Sequence, residues 1–466
     1  MNYNTETINS AAQQLATMFK SAVIEQRAAG QGPSTIAKIE TGMREALRQI
    51  GMQALGLFLS SMQTTPASEI ACICGGVLKY QRMRPATVIS VFGKVTYERA
   101  YYAGCSCKKG KAPLDEQFGL EPGAVTAGLA ALLALAGIEF SYDESPKWLQ
   151  TYLLFDVSEN TVRSETEQMG AVQEKREEEL VKHSQDEAYL QERQRHPSNV
   201  VTRLYGSMDA AKVRIEPRPK KGQEKAKHED WRDMKVLCWY EVETVSPAQR
   251  STRQREKAIR EQAVLRAKNM RYFCDITEAD DFGRLLWATG GTVNADLSPE
   301  LVFLGDGAVW IWNLVTQYYS NAVQIVDWYH AEEHLEGVAL AAFATPSERT
   351  PWLEAVTQSL WDGQVEDVII VCQDLAHSCL KAQQAVTYFT NHTERMRYDK
   401  FRAAGYMIGS GTVESGCKQI VTQRLKLPGA QWEVAGAVQT AKARAVWLSG
   451  QWQSLCDHRS ALPLAI

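Results

Sequence analysis

The sequence lacks the features of an exported or membrane-inserted chain. No N-terminal stretch joins basic residues to an apolar run and a small-residue cleavage site, which is the pattern of a secretory signal. The longest apolar run, Ala124 to Phe140, is interrupted by glycines and contains Glu139, so a buried helix fits it better than a membrane span. Low-complexity tracts are absent as well. We therefore expect a folded cytoplasmic protein with no membrane partner.

Without export, the ten cysteines are expected to be reduced thiols or metal ligands rather than disulfides. Cys72-x-Cys74 and Cys105-x-Cys107 flank two β-rich runs that are predicted to form a hairpin joined at Gly93-Lys94. Four thiolates placed in this way could close a tetrahedral zinc site. Because each pair has one intervening residue where two are usual, reduced cysteines in a small β module remain the alternative.

The charge is unevenly distributed. The net charge is −4, which by itself argues against a nucleic-acid partner. However, residues 203–275 carry 18 Lys and Arg against 11 acids, and residues 395–444 carry 9 against 3. Two basic blocks on an acidic background are typical of a local phosphate-binding face, although solvated surfaces would have the same composition.

At 466 residues the chain is expected to hold several domains. The order of three strands, helix, strand, helix and strand after Pro197 is that of a ribonuclease H-like α/β domain. We expect an N-terminal helical segment (1–68), a small β module with a candidate zinc site (69–120), a helical, helix-turn-helix-like DNA-binding region (121–197), the first part of the catalytic domain (198–330), a helical insertion (331–402) and the last part with the catalytic helix (403–466). Within the third region, Ser158 is predicted to cap a recognition helix that runs to Gln168.

Three acidic residues stand where a metal-dependent phosphoryl-transfer site would need them. Mg²⁺ prefers oxygen ligands, and carboxylates from separate elements can hold two such ions. Asp209 lies in the middle of a predicted strand, Asp306 follows a strand between two glycines, and Glu414 is predicted in the first turn of a helix. Basic residues that follow on this helix, Lys418, Arg424 and Lys426, are expected to lie along a DNA backbone.

The segments around these acids resemble a known family. The strings YGSMDAAKV, LGDGAVWIW, VDWYHAEEHL, GSGTVESGCKQIVTQRLK and PGAQWEVAG resemble the DDE transposases of bacterial insertion sequences, in particular the ISKra-type group and its ISLre-type relatives. The resemblance covers roughly residues 70–450. It implies a catalytic triad of Asp209, Asp306 and Glu414 with Mg²⁺ or Mn²⁺. It also implies a position for His330, in the D-x-x-H element, near the scissile phosphate, and it matches Trp432 to an aromatic residue that follows the catalytic helix.

By this resemblance the protein cuts DNA at transposon ends and joins the freed 3′-hydroxyl to target DNA. Because both ends must be held together, a homodimer or larger assembly on DNA is implied.

Two other functions fit parts of the sequence. One is a catalytically silent DNA-binding protein descended from a transposase. The other is a zinc peptidase, because His330, Glu333 and His334 match the H-x-x-E-H pattern. The peptidase interpretation leaves Asp306, Glu414 and the basic blocks without a role.

Overall fold

The computed structural model describes residues 5–27, 35–63, 65–195, 199–216, 230–249 and 264–461. The chain forms two compact units, one of residues 1–169 with 453–466 and the other of residues 170–452. The division falls inside the helix Glu159–His183. Within the described residues, no helix combines the length and hydropathy that a membrane span requires.

The first unit contains a three-stranded antiparallel sheet and helices. Its strands are β1 (Glu69–Ala71), β2 (Val77–Ser90) and β3 (Gly93–Ala103), in the order β1-β2-β3. Its helices are Thr5–Arg27, Thr35–Ser61, Pro113–Phe118, Ala127–Glu139 and Ser145–Leu153, together with the beginning of Glu159–His183 and nearly all of Trp452–Ala461.

The predicted hairpin is confirmed, but its turn is not at Gly93-Lys94. Ser90 pairs with Gly93, so the turn consists of Val91 and Phe92. Gly93 is the first residue of β3 and has a φ of 112°, a conformation that favours glycine. The glycine therefore follows the turn instead of forming it.

The helical pattern after the sheet is confirmed. The long apolar run forms the helix Ala127–Glu139, which packs in a core with the next two helices through Leu129, Leu133, Leu149 and Val162. The Ser158 side chain caps the third of these helices by accepting a hydrogen bond from the Thr161 N–H at 3.1 Å. A role for this helix in DNA recognition stays a prediction.

The second unit is mixed α/β. Its five strands are β4 (Arg203–Ile215), β5 (Asp230–Thr244), β6 (Leu265–Asp275), β7 (Glu300–Gly305) and β8 (Val323–Val326), in the order β6-β5-β4-β7-β8. The pairs β4–β5 and β5–β6 are antiparallel, whereas β4–β7 and β7–β8 are parallel. The central strand, β4, is thus the first in the chain.

Helices surround this sheet. Those that connect strands are Ala279–Thr292 and Val309–Tyr318. After β8 come Trp328–Ala342, Pro346–Trp361, Val365–Ala376, Leu380–His392 and Tyr398–Ala403. A continuous helical stretch from Gly411 to Leu425 and the helix Val434–Leu448 follow, and the unit also contains the end of Glu159–His183 and the helix Glu187–Arg195.

Candidate functional site

Three aspartates lie side by side on the sheet of the second unit. Asp209 is in the central strand β4, and Asp306 and Asp327 are the first residues after β7 and β8. The registers of the two parallel pairs place all three at the same level on neighbouring strands. The carboxyl ends of parallel strands are where open α/β sheets place ligand-binding residues.

Glu414 and His330 border the same site. Glu414 lies in the first turn of the helix Gly411–Cys417, as predicted, and the Ser410 hydroxyl donates a hydrogen bond to its Oε1 at 3.0 Å. The Nε2 atom of His330 lies 3.8 Å from the same Oε1. The structure therefore brings Glu414 and His330 together, and His330 is in the first turn of the helix that follows Asp327.

The carboxylates of this site repel one another. Burial raises the pKa of Asp209, and the nearby Asp306 carboxylate raises it further, whereas hydrogen bonds from the Ala210 N–H and the Cys417 thiol lower it. Burial also raises the pKa of Glu414, and the charges of Asp327 and Asp209 act in the same direction. Asp209 and Asp306 are partly buried and Glu414 is exposed, and a bound cation would compensate the repulsion between their carboxylates.

Asp327 connects the two helices that carry His330 and Glu414. Its side chain is fully buried, and its Oδ1 accepts the N–H of His330 at 2.9 Å while its Oδ2 accepts the N–H of Ser410. It therefore ties the helix of His330 to the start of the helix of Glu414. The sequence offered one signal for this residue, its place in the D-x-x-H element, but no indication of its partner 83 residues away.

An open groove of about 490 Å³ lies against the segment that leads into the helix of Glu414. Its lining includes Tyr329, Arg402, Tyr406, Gly409 and Thr412, and none of its lining residues is acidic. The side chain of Tyr329 is exposed.

In the zinc-peptidase pattern, His330 lies 3.4 Å from Glu333, whereas His334 has a different neighbour. The ring of His334 stacks on Tyr388 at 3.8 Å between centroids, and Tyr388 donates a hydrogen bond to the Asp306 carbonyl. Burial lowers the pKa of His334. Among the described residues, no group of three potential ligands within 4.8 Å of one another includes His330, Glu333 or His334.

The four predicted cysteines form a cluster that could bind a metal such as zinc. The ligand atoms of Cys72, Cys74, Cys105 and Cys107 all lie within 4.8 Å of one another, and in the part of the chain that is described no other group of three or more does so. The contacts Cys72–Cys74, Cys74–Cys105 and Cys72–Cys107 measure 3.4, 3.3 and 3.5 Å between Sγ atoms. Thiolates about 2.3 Å from a tetrahedral zinc would be about 3.8 Å apart.

Tight turns bring the four cysteines together, although only one residue separates the two members of each pair. The Cys72 N–H donates to the Gly76 carbonyl at 2.8 Å, and the Lys108 N–H donates to the Cys105 carbonyl at 3.0 Å. Gly75 and Lys108 have φ values of 84° and 60°. A Cβ on Gly76 would lie 2.8 Å from the Cys105 Sγ, so this position needs glycine.

Among the described residues, Asp209, Asp306 and Glu414 do not form a group whose ligand atoms all lie within 4.8 Å of one another.

The three basic residues predicted to contact DNA differ in exposure. Lys418 and Lys426 are exposed. Arg424 is only 2% exposed, and its guanidinium lies 5.1 Å from the centre of the Trp432 ring. The prediction that Arg424 contacts DNA is therefore wrong, because its charge lies in the core. Trp432 is structural as well, since its indole N–H donates to the Leu425 carbonyl at 2.9 Å where the helix ends.

Only part of the basic block 395–444 is exposed. Lys442 and Arg444 are buried, Arg397 pairs with Glu366 and Glu394, and Arg402 stacks on Trp361 at 3.9 Å. The basic residues of this block therefore do not form one continuous exposed surface. Much of the block 203–275 lies outside the described residues.

No protein-family model matches this chain, and comparison with curated proteins returns no significant relative. The geometry of the two sites therefore carries the argument for function.

Proposed function

We propose that this protein is a DDE transposase that cuts DNA at transposon ends and joins those ends to target DNA. The observation that carries the proposal is the alignment of Asp209 and Asp306 on adjacent parallel strands, with Glu414 and His330 3.8 Å apart beside them. The pKa values of Asp209 and Glu414 are raised, and neighbouring acids with perturbed pKa values are typical of functional centres.

The sheet supports a ribonuclease H-like fold. In chain order its strands run 3-2-1-4-5, the first three are antiparallel, and the last two are parallel to the first. This arrangement places the first aspartate in the central strand and the second at the end of its parallel neighbour, and the helical insertion then separates both from the glutamate.

The donor set suits Mg²⁺ or Mn²⁺. Asp209, Asp306 and Glu414 would hold the ions with oxygen ligands. When bound, such ions activate the attacking oxygen and stabilise the leaving oxygen of the phosphodiester. The protein's own groups orient the reaction: Ser410 holds Glu414, and Asp327 holds the helix of His330, whose Nε2 is directed toward Glu414.

Two phosphoryl transfers would follow at this site. In the first, water attacks a phosphorus at the transposon end, and the 3′ oxygen leaves and takes up a proton. In the second, that 3′-hydroxyl attacks a target phosphorus and loses its proton as a target 3′ oxygen leaves. Because two ends take part, a homodimer or larger assembly is part of the proposal, and zinc in the cysteine cluster would be structural.

Cleavage by carboxamide variants tests the proposal. The substrate is a DNA that carries the sequences flanking the gene of this protein, with Mg²⁺ or Mn²⁺ added. Asp209→Asn, Asp306→Asn and Glu414→Gln should each lower the cleavage rate by roughly three orders of magnitude or more, while DNA binding persists.

The matched control is Asp374→Asn, a substitution at an exposed acid of the same unit, which should cut at the wild-type rate. Undiminished cleavage by any of the three site variants would remove that residue from the triad. A wild-type protein that binds DNA but never cuts it would favour the silent DNA-binding alternative.

A further inference from the structure

The most basic segment of the first unit surrounds its cysteine cluster. Residues 77–111 contain eight Lys and Arg and one acidic residue, Glu98. These residues form the strands β2 and β3 and the loop that carries Cys105 and Cys107. The local surplus of positive charge is thus denser than that of the block 395–444.

The hairpin directs two of these charges to one face. Arg82 and Arg84 alternate with Met83 and therefore share a face of β2. The Arg84 guanidinium lies 5.0 Å from the centre of the Tyr101 ring. Glu98 pairs with Pro85, which alternates with Arg84, so the acidic side chain belongs to the opposite face.

The cysteine loop, which packs against Tyr101 through Gly110, carries two more charges. The backbone of Gly110 packs so closely on this ring that a Cβ there would lie 1.9 Å from the Tyr101 hydroxyl. Lys111 and Tyr102 exchange two backbone hydrogen bonds of 2.8 Å, which hold the loop against β3. Lys108 and Lys109, directly before Gly110, are exposed.

The four cations are not neutralised by the protein. The neighbouring acids are engaged elsewhere: Glu69 faces Lys79 at 3.9 Å, Glu116 faces Lys111 at 2.7 Å and Asp115 faces Arg99 at 3.2 Å. Among the residues that the structure describes, Arg82, Arg84, Lys108 and Lys109 have no acidic partner within 4.0 Å. We call these four residues, with Tyr101 between them, the hairpin surface.

We propose that the hairpin surface binds the phosphate backbone of double-stranded DNA. This inference rests on the proposed function and deepens it, because it assigns a DNA contact in the first unit, apart from the carboxylate site. Exposed Arg and Lys without internal partners gain from binding phosphates and releasing counterions. The surface offers cations around an aromatic ring but no fixed hydrogen-bonding pattern, so it should bind DNA without regard to sequence.

The cysteine cluster lies in the loop that carries Lys108 and Lys109, two of the four cations of the hairpin surface. Lys108 and Lys109 directly follow Cys107, and the Lys108 N–H is bonded to the Cys105 carbonyl. A metal bound by the four thiolates would fix this loop. Arg82 and Arg84, in the strand, should depend on the metal much less.

The test measures DNA binding by the zinc-loaded, full-length protein as a function of salt. Fluorescence anisotropy of a labelled 30-base-pair duplex of arbitrary sequence gives the affinity between about 50 and 200 mM salt, with Ca²⁺ present instead of Mg²⁺. The variants are Arg82→Ala/Arg84→Ala and Lys108→Ala/Lys109→Ala. The control is Lys20→Ala/Lys38→Ala, which removes two exposed lysines of the same unit.

Each hairpin-surface variant should bind DNA more weakly than the wild type, and its salt slope should be smaller by about two. When the salt concentration rises from about 50 to 200 mM, the affinity of the variant should therefore fall by a factor roughly tenfold smaller than that of the wild type. The control should match the wild type. After zinc removal, the lysine variant should no longer differ from the wild type, whereas the arginine variant should still bind more weakly.

Unchanged slopes in both variants, with wild-type binding and Mg²⁺-dependent cleavage intact, would overturn the hairpin surface and leave the transposase proposal standing. If the variants show the expected slopes but the wild type shows no Mg²⁺-dependent cleavage, the hairpin surface would stand and the transposase proposal would be overturned. No DNA binding by the wild-type protein would overturn both.

Discussion

The Asp209 carboxylate lies in a central strand close to Asp306, and in the fold its ionised form is disfavoured. Because its pKa is raised, the charge destabilises the folded state above that pKa, and the penalty disappears as the pH falls through it. In metal-free protein at neutral pH, Asp209→Asn should therefore raise the melting temperature, by about 2–4 °C for each kcal/mol gained. Thermal unfolding followed by circular dichroism measures this.

With Mn²⁺ added, the wild type should melt at a higher temperature than Asp209→Asn. The ion compensates the charge of Asp209, which the variant lacks. We expect Mn²⁺ to raise the melting temperature of the wild type more than that of Asp209→Asn. Asp374→Asn, the exposed control, should respond as the wild type does. A metal-free variant that melts below the wild type, with an equal gain from Mn²⁺, would show that Asp209 is not part of a repelling, metal-binding group.

At the scale of single residues, the position of a side chain in the fold could be predicted where its immediate neighbours in the sequence determine it. Glycines on both sides of Asp306 and the first-turn position of Glu414 could be recognised from neighbouring residues. Arg424 could not be placed, because the segment Lys418–Thr422 forms a π-helical turn. Such a turn adds a residue to the helix and rotates everything after it, so counting at 3.6 residues per turn fails beyond it.

At the scale of elements, three segments are joined by a buried ionic cluster. Lys442, on the helix Val434–Leu448, bonds to Glu177 and lies 2.8 Å from Asp275 at the end of β6. The side chains of Lys442 and Glu177 are 2% and 5% exposed. Glu177 lies in a glutamate-rich stretch, and its burial could not be predicted from neighbouring residues because its partner lies 265 residues away.

Lys442→Ala should lower the free energy of unfolding by about 3–5 kcal/mol, because it leaves the Glu177 carboxylate buried without its cationic partner. Urea unfolding of the full chain measures the change. Lys175→Ala, an exposed lysine on the helix of Glu177, should stay within about 0.5 kcal/mol of the wild type.

The double variant Glu177→Leu/Lys442→Met should lose less stability than Lys442→Ala, because it removes both buried charges and keeps their volume. If instead the single and double variants were equally stable, the contact between these helices would not depend on the ion pair.

At the scale of the whole molecule, charge counting along the sequence did not locate the surfaces. The two basic blocks it identified contain many residues that the fold buries or pairs, such as Arg424 and Arg397. The hairpin surface arises instead from strand alternation in β2 and from a loop shaped by two cysteines. A count shows the charge surplus of residues 77–111 but not which of these residues the backbone brings to one face.

The central claim is that Asp209, Asp306 and Glu414 jointly hold catalytic divalent metal ions. Anomalous diffraction from crystals soaked with Mn²⁺ tests it most directly. We predict Mn²⁺ peaks with oxygen ligands at about 2.1 Å from the carboxylates of Asp209, Asp306 and Glu414. Crystals of Asp306→Asn should lose these peaks. Mn²⁺ bound only elsewhere in wild-type crystals, or not at all, would contradict the claim.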